Sequence, residues 1–165
     1  MGYNNGILGY AHSDFEQGGF RYGVGIGAST EFDHNDTKRT QHFFNGDAAV
    51  KLHGWSMTAG FYLQAVAKRD LSEEIKLSKI GGHVQAGYLI RQLAEPIARF
   101  GFVHTRHVKD DVSQQYAAGI VFHFVPSHHL KWENNVTLHK SPPGVTLTHQ
   151  TEWDVFFASQ LQLYF

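Results

Sequence analysis

The sequence predicts an all-β protein, an antiparallel transmembrane β-barrel, and three observations support this prediction. Segments of about ten residues alternate between apolar and polar side chains, which is the period of a β-strand with two different faces. Long charged segments and short turns separate these strands in strict alternation, as in barrels with long external loops and short periplasmic turns. The last segment, residues 153–165, is an amphipathic strand that is long for a soluble sheet and suits a membrane-spanning strand.

The composition suits one domain with a large surface that does not face water. The 165 residues suffice for a single core or a small barrel. Only 18% of them are charged, below the usual share of about a quarter, whereas 14% are aromatic. The formal net charge of -1 gives no global field that would attract nucleic acid, and the absence of cysteine excludes disulfides and thiolate metal sites.

The sequence shows neither a transmembrane helix nor a signal peptide. No run of about 18 apolar residues exists, and the mean hydropathy of -0.32 is what strands alternating between two environments would average to. Residues 1–3 do not begin a signal peptide, which an exported protein needs. We therefore expect either a mature chain with an added Met or a piece of a longer precursor.

The N-terminal part of the chain contains one clear strand. Residues 1–19 are the least readable; residues 6–13 are a candidate strand, followed by a turn at residues 16–19. Residues 20–29 alternate between apolar side chains and arginine, glycine or serine, which predicts a strand. The charged segment 31–39 interrupts this pattern and predicts the first long loop.

Two further strands form a predicted hairpin. Residues 41–53 set Phe, Ala, Val and Leu on one face against Asn, Asp, Lys and His, and residues 55–68 repeat this alternation. Gly54 marks the tight turn between them. The charged segment 69–79 predicts the second long loop.

The next predicted hairpin consists of residues 80–90 and 95–102, joined by a short turn at residues 91–94. Its apolar residues oppose histidine, glutamine, glycine and two charged side chains. The charged segment 105–113 predicts the third long loop.

The last predicted hairpin before the terminal strand consists of residues 115–124 and 130–138. Residues 126–129 form a short turn, where Pro126 fits because proline cannot donate to a β-ladder. Residues 139–146, which include two prolines and a glycine, predict the last long loop.

The polar face of these strands is predicted to face the barrel interior. It consists mainly of glycine, serine, glutamine, asparagine and histidine, while most charges lie in the long loops. A soluble barrel would instead carry Lys and Glu on its outer surface. Aromatic residues fall at both strand ends and predict two interfacial belts. They are Trp55, Trp132 and Phe165 on the short-turn side, and Phe102, Tyr116 and Trp153 on the long-loop side.

The second half of the chain resembles a known family. The relevant sequences are G-G-H-V-Q-A-G-Y-L-I at 81–90, E-P-I-A-R-F at 95–100, the strand at 116–124, H-L-K-W at 129–132, and the terminal Q-L-Q-L-Y-F. Together they resemble the C-terminal half of the phosphate-selective porin O and P family, over roughly residues 44–165. The resemblance implies a sixteen-stranded, trimeric, water-filled pore in the bacterial outer membrane that passes anions by facilitated diffusion.

The terminal strand carries a second resemblance. Its ending L-Q-L-Y-F is similar to the C-terminal signature of Gram-negative outer-membrane barrels. The similarity implies that the assembly machinery of such barrels reads Phe165.

The predicted strand number leaves two architectures open. Eight strands follow from Phe20 onward, or nine if residues 6–13 are included, whereas bacterial single-chain barrels have even numbers. An eight-stranded barrel is filled by side chains and has no aqueous channel, and the inward glycines would fill it poorly. We therefore expect residues 1–165 to be one domain that forms the C-terminal eight to nine strands of a wider pore; the alternative is a small closed barrel.

Charged residues on the inward face are the candidate functional residues, because a pore selects solutes through the groups that line it. Cations and acids are nearly balanced there, so strong anion selectivity does not follow. Glu95 and Arg99 are too far apart along one strand for a direct pair, and each is expected to meet a neighbouring strand. The candidate pore-lining residues are Arg21, Lys51, Lys68, Arg99, Lys131, Asp47, Glu95 and Glu133, with Asp154 as a further inward acid.

The twelve histidines invite a metal or catalytic interpretation, but they show no short metal-ligand spacing. We therefore predict no metal, no cofactor and no catalytic residue. An enzyme would use His139 with Ser141, or His107 with Asp110 and Asp111, yet neither set lies in a recognised motif.

The predicted function is a porin, with outer-membrane lipid, small hydrophilic or anionic solutes and a homotrimer as partners, and no nucleic acid. The alternative is a non-pore barrel whose loops have a structural, adhesive or ligand-binding role.

Overall fold

The chain forms one antiparallel β-meander. The computed structural model describes residues 2–5, 14–32, 39–68, 76–106, 112–125, 130–141 and 153–163. These residues form a nine-stranded sheet in which each strand pairs with its neighbours in the sequence. The strands are β1 Gly2–Asn5, β2 Arg21–Glu31, β3 Arg39–Leu52, β4 Trp55–Lys68, β5 Lys76–Tyr88, β6 Ala94–Thr105, β7 Val112–His123, β8 Leu130–Lys140 and β9 Trp153–Leu163.

The all-β, antiparallel prediction is confirmed. The described residues contain nine strands and no helix. A helix long and apolar enough to cross a membrane is accordingly absent from this part of the chain. Eight long strands lie where the alternation predicted them, and β1 adds a short strand that pairs with β2 from Gly2↔Gly25 to Asn5↔Tyr22. The candidate strand at residues 6–13 lies outside the described residues.

The β3–β4 turn fixes the register of its hairpin. Leu52 pairs with Trp55, so His53 and Gly54 alone form the loop. Their φ angles are 47° and 89°, both positive, as in a type I′ turn, whose twist matches that of the flanking strands. Gly54 adopts this backbone without strain because it lacks a Cβ. The tight turn predicted here is confirmed.

β5 begins earlier than the sequence pattern predicted. Segment 69–79 was expected to be a loop, but β5 starts at Lys76. The register with β4 shifts between Gln64 and Ala65, and the hydroxyl of Ser78 donates to the Gln64 carbonyl at 3.0 Å. Such an irregularity breaks the alternation of side chains, which is the signal on which the prediction depended.

β8 also extends further than predicted. His139 was assigned to a loop, yet it lies in β8 and pairs with Gln115 of β7 and Asp154 of β9. Two neighbouring strands therefore fix its backbone, although its polar side chain gave no strand signal.

The two faces of the sheet differ in burial. Large side chains of the apolar face are exposed, with Ile26 at 68% and Phe157 at 71%. Among the described residues, the buried apolar side chains are Ala49, Leu89 and Val121, which lie on the polar side of the sheet. The densest packing is therefore on the polar side.

β1 and β9 are the two edges of the sheet. β9 pairs with β8 from Lys140↔Trp153 to Leu130↔Leu163, and no described residue pairs with its other edge. The strand order is the one that an up-and-down barrel needs, since neighbouring strands are consecutive in the chain.

Candidate functional site

The strand register places the predicted pore-lining residues on the polar face. Arg21 pairs with Lys51, and Lys51 pairs with Ser56, so three neighbouring strands share one row. Lys68 is placed only by its pairing with Arg39 near the end of β4. The candidates divide between a cluster at the short-turn end and a cleft further along the same face. The remaining candidates on this face are Asp47, Glu95, Arg99, Lys131, Glu133 and Asp154.

A charged cluster lies at the short-turn end of the polar face. Arg21 forms ion pairs with Asp14 and Glu16 of the preceding segment. Asp14 is 1% exposed, and its Oδ2 accepts a 2.9 Å hydrogen bond from the backbone N–H of Gly54. The cation and the backbone donor together offset the cost of taking this carboxylate out of water. Lys51, which is also buried, opposes Arg21 in the ladder.

Glu95 forms the other half of this cluster. The Ser56 hydroxyl donates to Glu95 Oε1 at 2.9 Å, and Glu95 Oε2 lies 3.7 Å from Nε2 of His123. Ser56 lies on β4, so Glu95 reaches it across β5 above Gly87, where a Cβ would lie 2.5 Å from Oε1. Glu95 thus meets neighbouring strands, as expected. We call the following residues the turn-end cluster: Asp14, Arg21, Lys51, Ser56, Glu95 and His123.

Residues 14–20 cross the turn-end cluster, and we call this segment the strap. The Phe15 ring packs edge-on against the His123 ring, with centroids 4.7 Å apart and planes at 80°. The carbonyl of Phe15 accepts a hydrogen bond from Nε2 of Gln92 at 3.2 Å. The strap therefore reaches β7 and the β5–β6 turn, far from β2 where it ends.

Two further hydrogen bonds attach the middle of the strap. Nε2 of Gln17 donates to the carbonyl of Leu89 at 3.3 Å. The carbonyl of Gly18 accepts from the N–H of His53 in the β3–β4 turn at 2.9 Å. The strap is thus held to the ends of several strands at once.

A second polar region, which we call the central cleft, lies nearer the long loops. Its volume is about 320 Å³, and its polar lining includes Tyr62, His83, Arg99, Gln115 and His139. Arg99 is exposed, and no ion pair joins it to another described residue. A guanidinium beside two imidazoles offers N–H donors of the kind that bind oxyanions. His139, which the sequence assigned to a loop, belongs to this lining.

The other charged candidates lie along the wall. Lys131 Nζ is 2.5 Å from Glu133 Oε1, and Glu133 Oε2 accepts a 3.2 Å hydrogen bond from Gln162. The two charges therefore offset each other locally. The Asp47 carboxylate lies over Gly25, where a Cβ would be 2.8 Å from Oδ1. Such side chains lie against the sheet rather than across the space in front of it.

The residues proposed for an enzyme are only partly brought together. Ser141 Oγ lies 3.3 Å from Nδ1 of His139, whereas the set at residues 107–111 lies outside the described residues. A catalytic serine needs a base that a third group orients. Asp154 opposes His139 in the ladder, but no described hydrogen bond or ion pair joins them. Groups of three or more His, Asp or Glu able to hold a metal are absent from the described residues.

Sequence reasoning missed Asp14, Phe15, Ser56 and His123. Ser56 and His123 were placed on the correct face but given no role, because serine and histidine carry no signal of a buried bridge to Glu95. Asp14 lies in the segment with no strand pattern. The available signal was the position of Asp14, an acidic residue a few positions before the pair Gly18-Gly19 and before a strand that begins with Arg21.

No family model, curated protein or solved structure matches this chain. The polar face is therefore described by its geometry alone. In the part of the chain that the structure describes, it offers exposed hydrogen-bonding groups and the Arg99 guanidinium, which no ion pair engages there.

Proposed function

We propose that this chain forms part of the wall of an outer-membrane porin. The polar face lines a water-filled channel for small hydrophilic solutes, including anions such as phosphate, and the apolar face meets lipid. The exposure of the apolar face is the observation that carries this proposal. Membership of the phosphate-selective porin O and P family is part of the proposal and is supported by sequence resemblance alone.

The extent of apolar exposure is difficult to reconcile with water on both faces. In the described residues, 27 large hydrophobic side chains are exposed and three hydrophobic side chains are buried. Soluble monomers rarely expose contiguous apolar patches larger than a few hundred Å². Hydrocarbon around the apolar face would remove this unfavourable contact with water.

Aromatic side chains cluster at both ends of the apolar face. Trp55 packs on Tyr88 at 4.9 Å at the short-turn end, and Tyr116 lies 6.0 Å from Trp153 at the other end. On β8, Lys140, the ladder partner of Trp153, lies eight positions after Trp132. That separation is about 27 Å along the strand and about 20 Å across the membrane at the usual barrel tilt, close to the apolar band of such barrels.

Polar groups on the apolar face form hydrogen bonds with one another. The indole N–H of Trp132 donates to Ser159 Oγ at 2.9 Å, and the Ser159 hydroxyl donates to Asn134 Oδ1 at 2.8 Å. Because lipid provides no hydrogen-bonding partners, such internal pairing is what a lipid-facing surface requires.

The same proposal gives the chain its partners and its location. We place it in the bacterial outer membrane, in contact with lipid, and infer a homotrimer and recognition of Phe165 by the barrel assembly machinery. Phe165 lies outside the described residues, so its part is supported by the terminal sequence.

Single-channel recording in a planar bilayer tests the pore. We expect discrete conductance steps from the folded chain or from a longer product of the same gene. Arg99→Gln should lower the ratio of anion to cation permeability, read from reversal potentials in a KCl gradient, by roughly twofold because it removes the cleft's permanent charge. The double variant Lys131→Gln/Glu133→Gln is the matched control, since it removes a cation together with its paired acid and leaves the net charge of the wall unchanged.

The absence of steps from either chain length would contradict the porin and favour the second candidate, a small closed barrel whose loops carry the function. One observation favours that candidate: the strap already occupies part of the polar side at the short-turn end. A folded, lipid-inserted and silent protein is its expected signature.

A further inference from the structure

We infer that the strap, residues 14–20, is the constriction of the channel at its short-turn mouth and limits its conductance. This inference rests on the proposed function, because a constriction has meaning only where solutes pass.

The position of the strap supports this role. Arg21, which follows the strap, begins β2, while Phe15 touches His123 on β7. Between these two points, the Gly18 carbonyl accepts a hydrogen bond from the β3–β4 turn. The Gln17 side chain donates one to the Leu89 carbonyl, just after β5. The segment therefore runs across the turn ends of the strands on the side that would face the lumen.

The tightest packing in the described chain lies around the strap. The largest side chains with less than 2% exposure are Leu89, His123, Glu95 and Asp14. All four lie in the strap or against the groups it covers. A segment held by a buried ion pair, a ring contact and backbone hydrogen bonds is a fixed part of the wall, since breaking a buried ion pair is costly.

The middle of the strap faces open space. Gly19 is exposed, and a Cβ built there would meet no atom within 4 Å. A side chain at residue 19 is therefore accommodated without disturbing the anchors at Asp14 and Phe15. Residue 19 is therefore a suitable position at which to add a side chain and measure the effect of its size on conductance.

The absence of native cysteine allows a direct test by thiol modification. Gly19→Cys is recorded in a planar bilayer before and after reaction with a positively charged methanethiosulfonate. We expect modification to lower the unit conductance by roughly half, because added bulk acts most strongly at the narrowest point. Leu93→Cys, an exposed residue of the β5–β6 turn at the same end, is the control and should show no change.

A second variant tests the anchor. Phe15→Ala removes the ring contact with His123 but leaves the Asp14–Arg21 pair, and it should raise the unit conductance. An unchanged conductance in both Phe15→Ala and modified Gly19→Cys, with wild type conducting, would overturn the constriction and leave the porin standing.

A cross-link between engineered thiols gives a readout that does not depend on current. A direct disulfide needs Cβ atoms about 3.5–4.5 Å apart, so a short bis-methanethiosulfonate is used to span the space of the two removed rings, whose centroids lie 4.7 Å apart in the native contact. The double variant Phe15→Cys/His123→Cys should form this intramolecular cross-link in the folded, lipid-inserted protein, and failure to form it would overturn the position of the strap. If the cross-link forms while wild type and Phe15→Ala are both silent, the pore and its constriction fail together. A silent wild type with a conducting Phe15→Ala would support the strap as the closing element.

Discussion

Long polar side chains on the polar face lie over glycines of neighbouring strands. Glu95 covers Gly87, and His83 covers Gly60, where a Cβ would lie 2.7 Å from its Cε1. Each glycine therefore gives a neighbour's side chain room to lie against the sheet. These glycines allow charged and polar side chains to lie flat against the polar face.

We expect Glu95→Ala to lower the free energy of unfolding by about 3 kcal/mol, because it leaves Ser56 and the buried surroundings of His123 without their acid. Urea unfolding of the protein refolded in lipid vesicles measures this change. Glu16→Ala is the matched control: its side chain is 60% exposed, so its loss should change the free energy by less than about 0.5 kcal/mol. Equal effects of the two substitutions would show that the Glu95 bridge is not stabilising.

Which face each charged residue occupies was predictable from parity alone. The side-chain alternation placed Arg21, Lys51 and Glu95 together, and the register confirms that face. Their contacts were not predictable, because the partners of Arg21 come from a segment without periodicity. Glu95 accepts a hydrogen bond from Ser56, which lies two strands away. Only the strand register brings these two residues together.

At the scale of elements, the sequence predicted the short turns more accurately than the ends of the strands. Gly54 gave the β3–β4 turn its position, since glycine adopts positive φ at little cost. The predicted start of β5 was wrong because the irregularity near Ser78 interrupts the two-residue alternation of side chains. The end of β8 was wrong because ladder pairing, rather than side-chain type, determines it.

We expect Gly54→Ala to destabilise the protein by about 1–2 kcal/mol, because an L-residue is strained at its φ of 89° and the new methyl group would meet the Leu89 carbonyl. The midpoint of urea unfolding measures it. Gly19→Ala is the control, since it has neither a positive φ nor a nearby atom. A change at Gly54 no larger than at Gly19 would contradict the type I′ assignment of this turn.

At the scale of the molecule, burial is inverted: the polar side is packed and the apolar side is open. All three tryptophans of the chain, Trp55, Trp132 and Trp153, are exposed on the apolar face. The proposed contact of the apolar face with lipid would stabilise such an arrangement.

In vesicles of brominated phosphatidylcholine, we therefore expect tryptophan fluorescence to be strongly quenched, whereas aqueous acrylamide quenches it weakly. Trp132→Phe and Trp153→Phe should each remove part of the lipid-dependent quenching. Vesicles of the non-brominated lipid are the control. Strong quenching by acrylamide together with none by bromine would place the apolar face in water and exclude lipid contact.

The meander also determines how such a wall can change in size. Each strand pairs only with strands that are adjacent in the chain, so a hairpin is a repeating unit of the sheet. Inserting or removing one hairpin would require a single new pairing at the junction, keep the remaining pairings and change the width of the sheet by two strand spacings, about 9.6 Å. A sheet of this topology can therefore widen or narrow in steps of one hairpin without a change of register in its other strands.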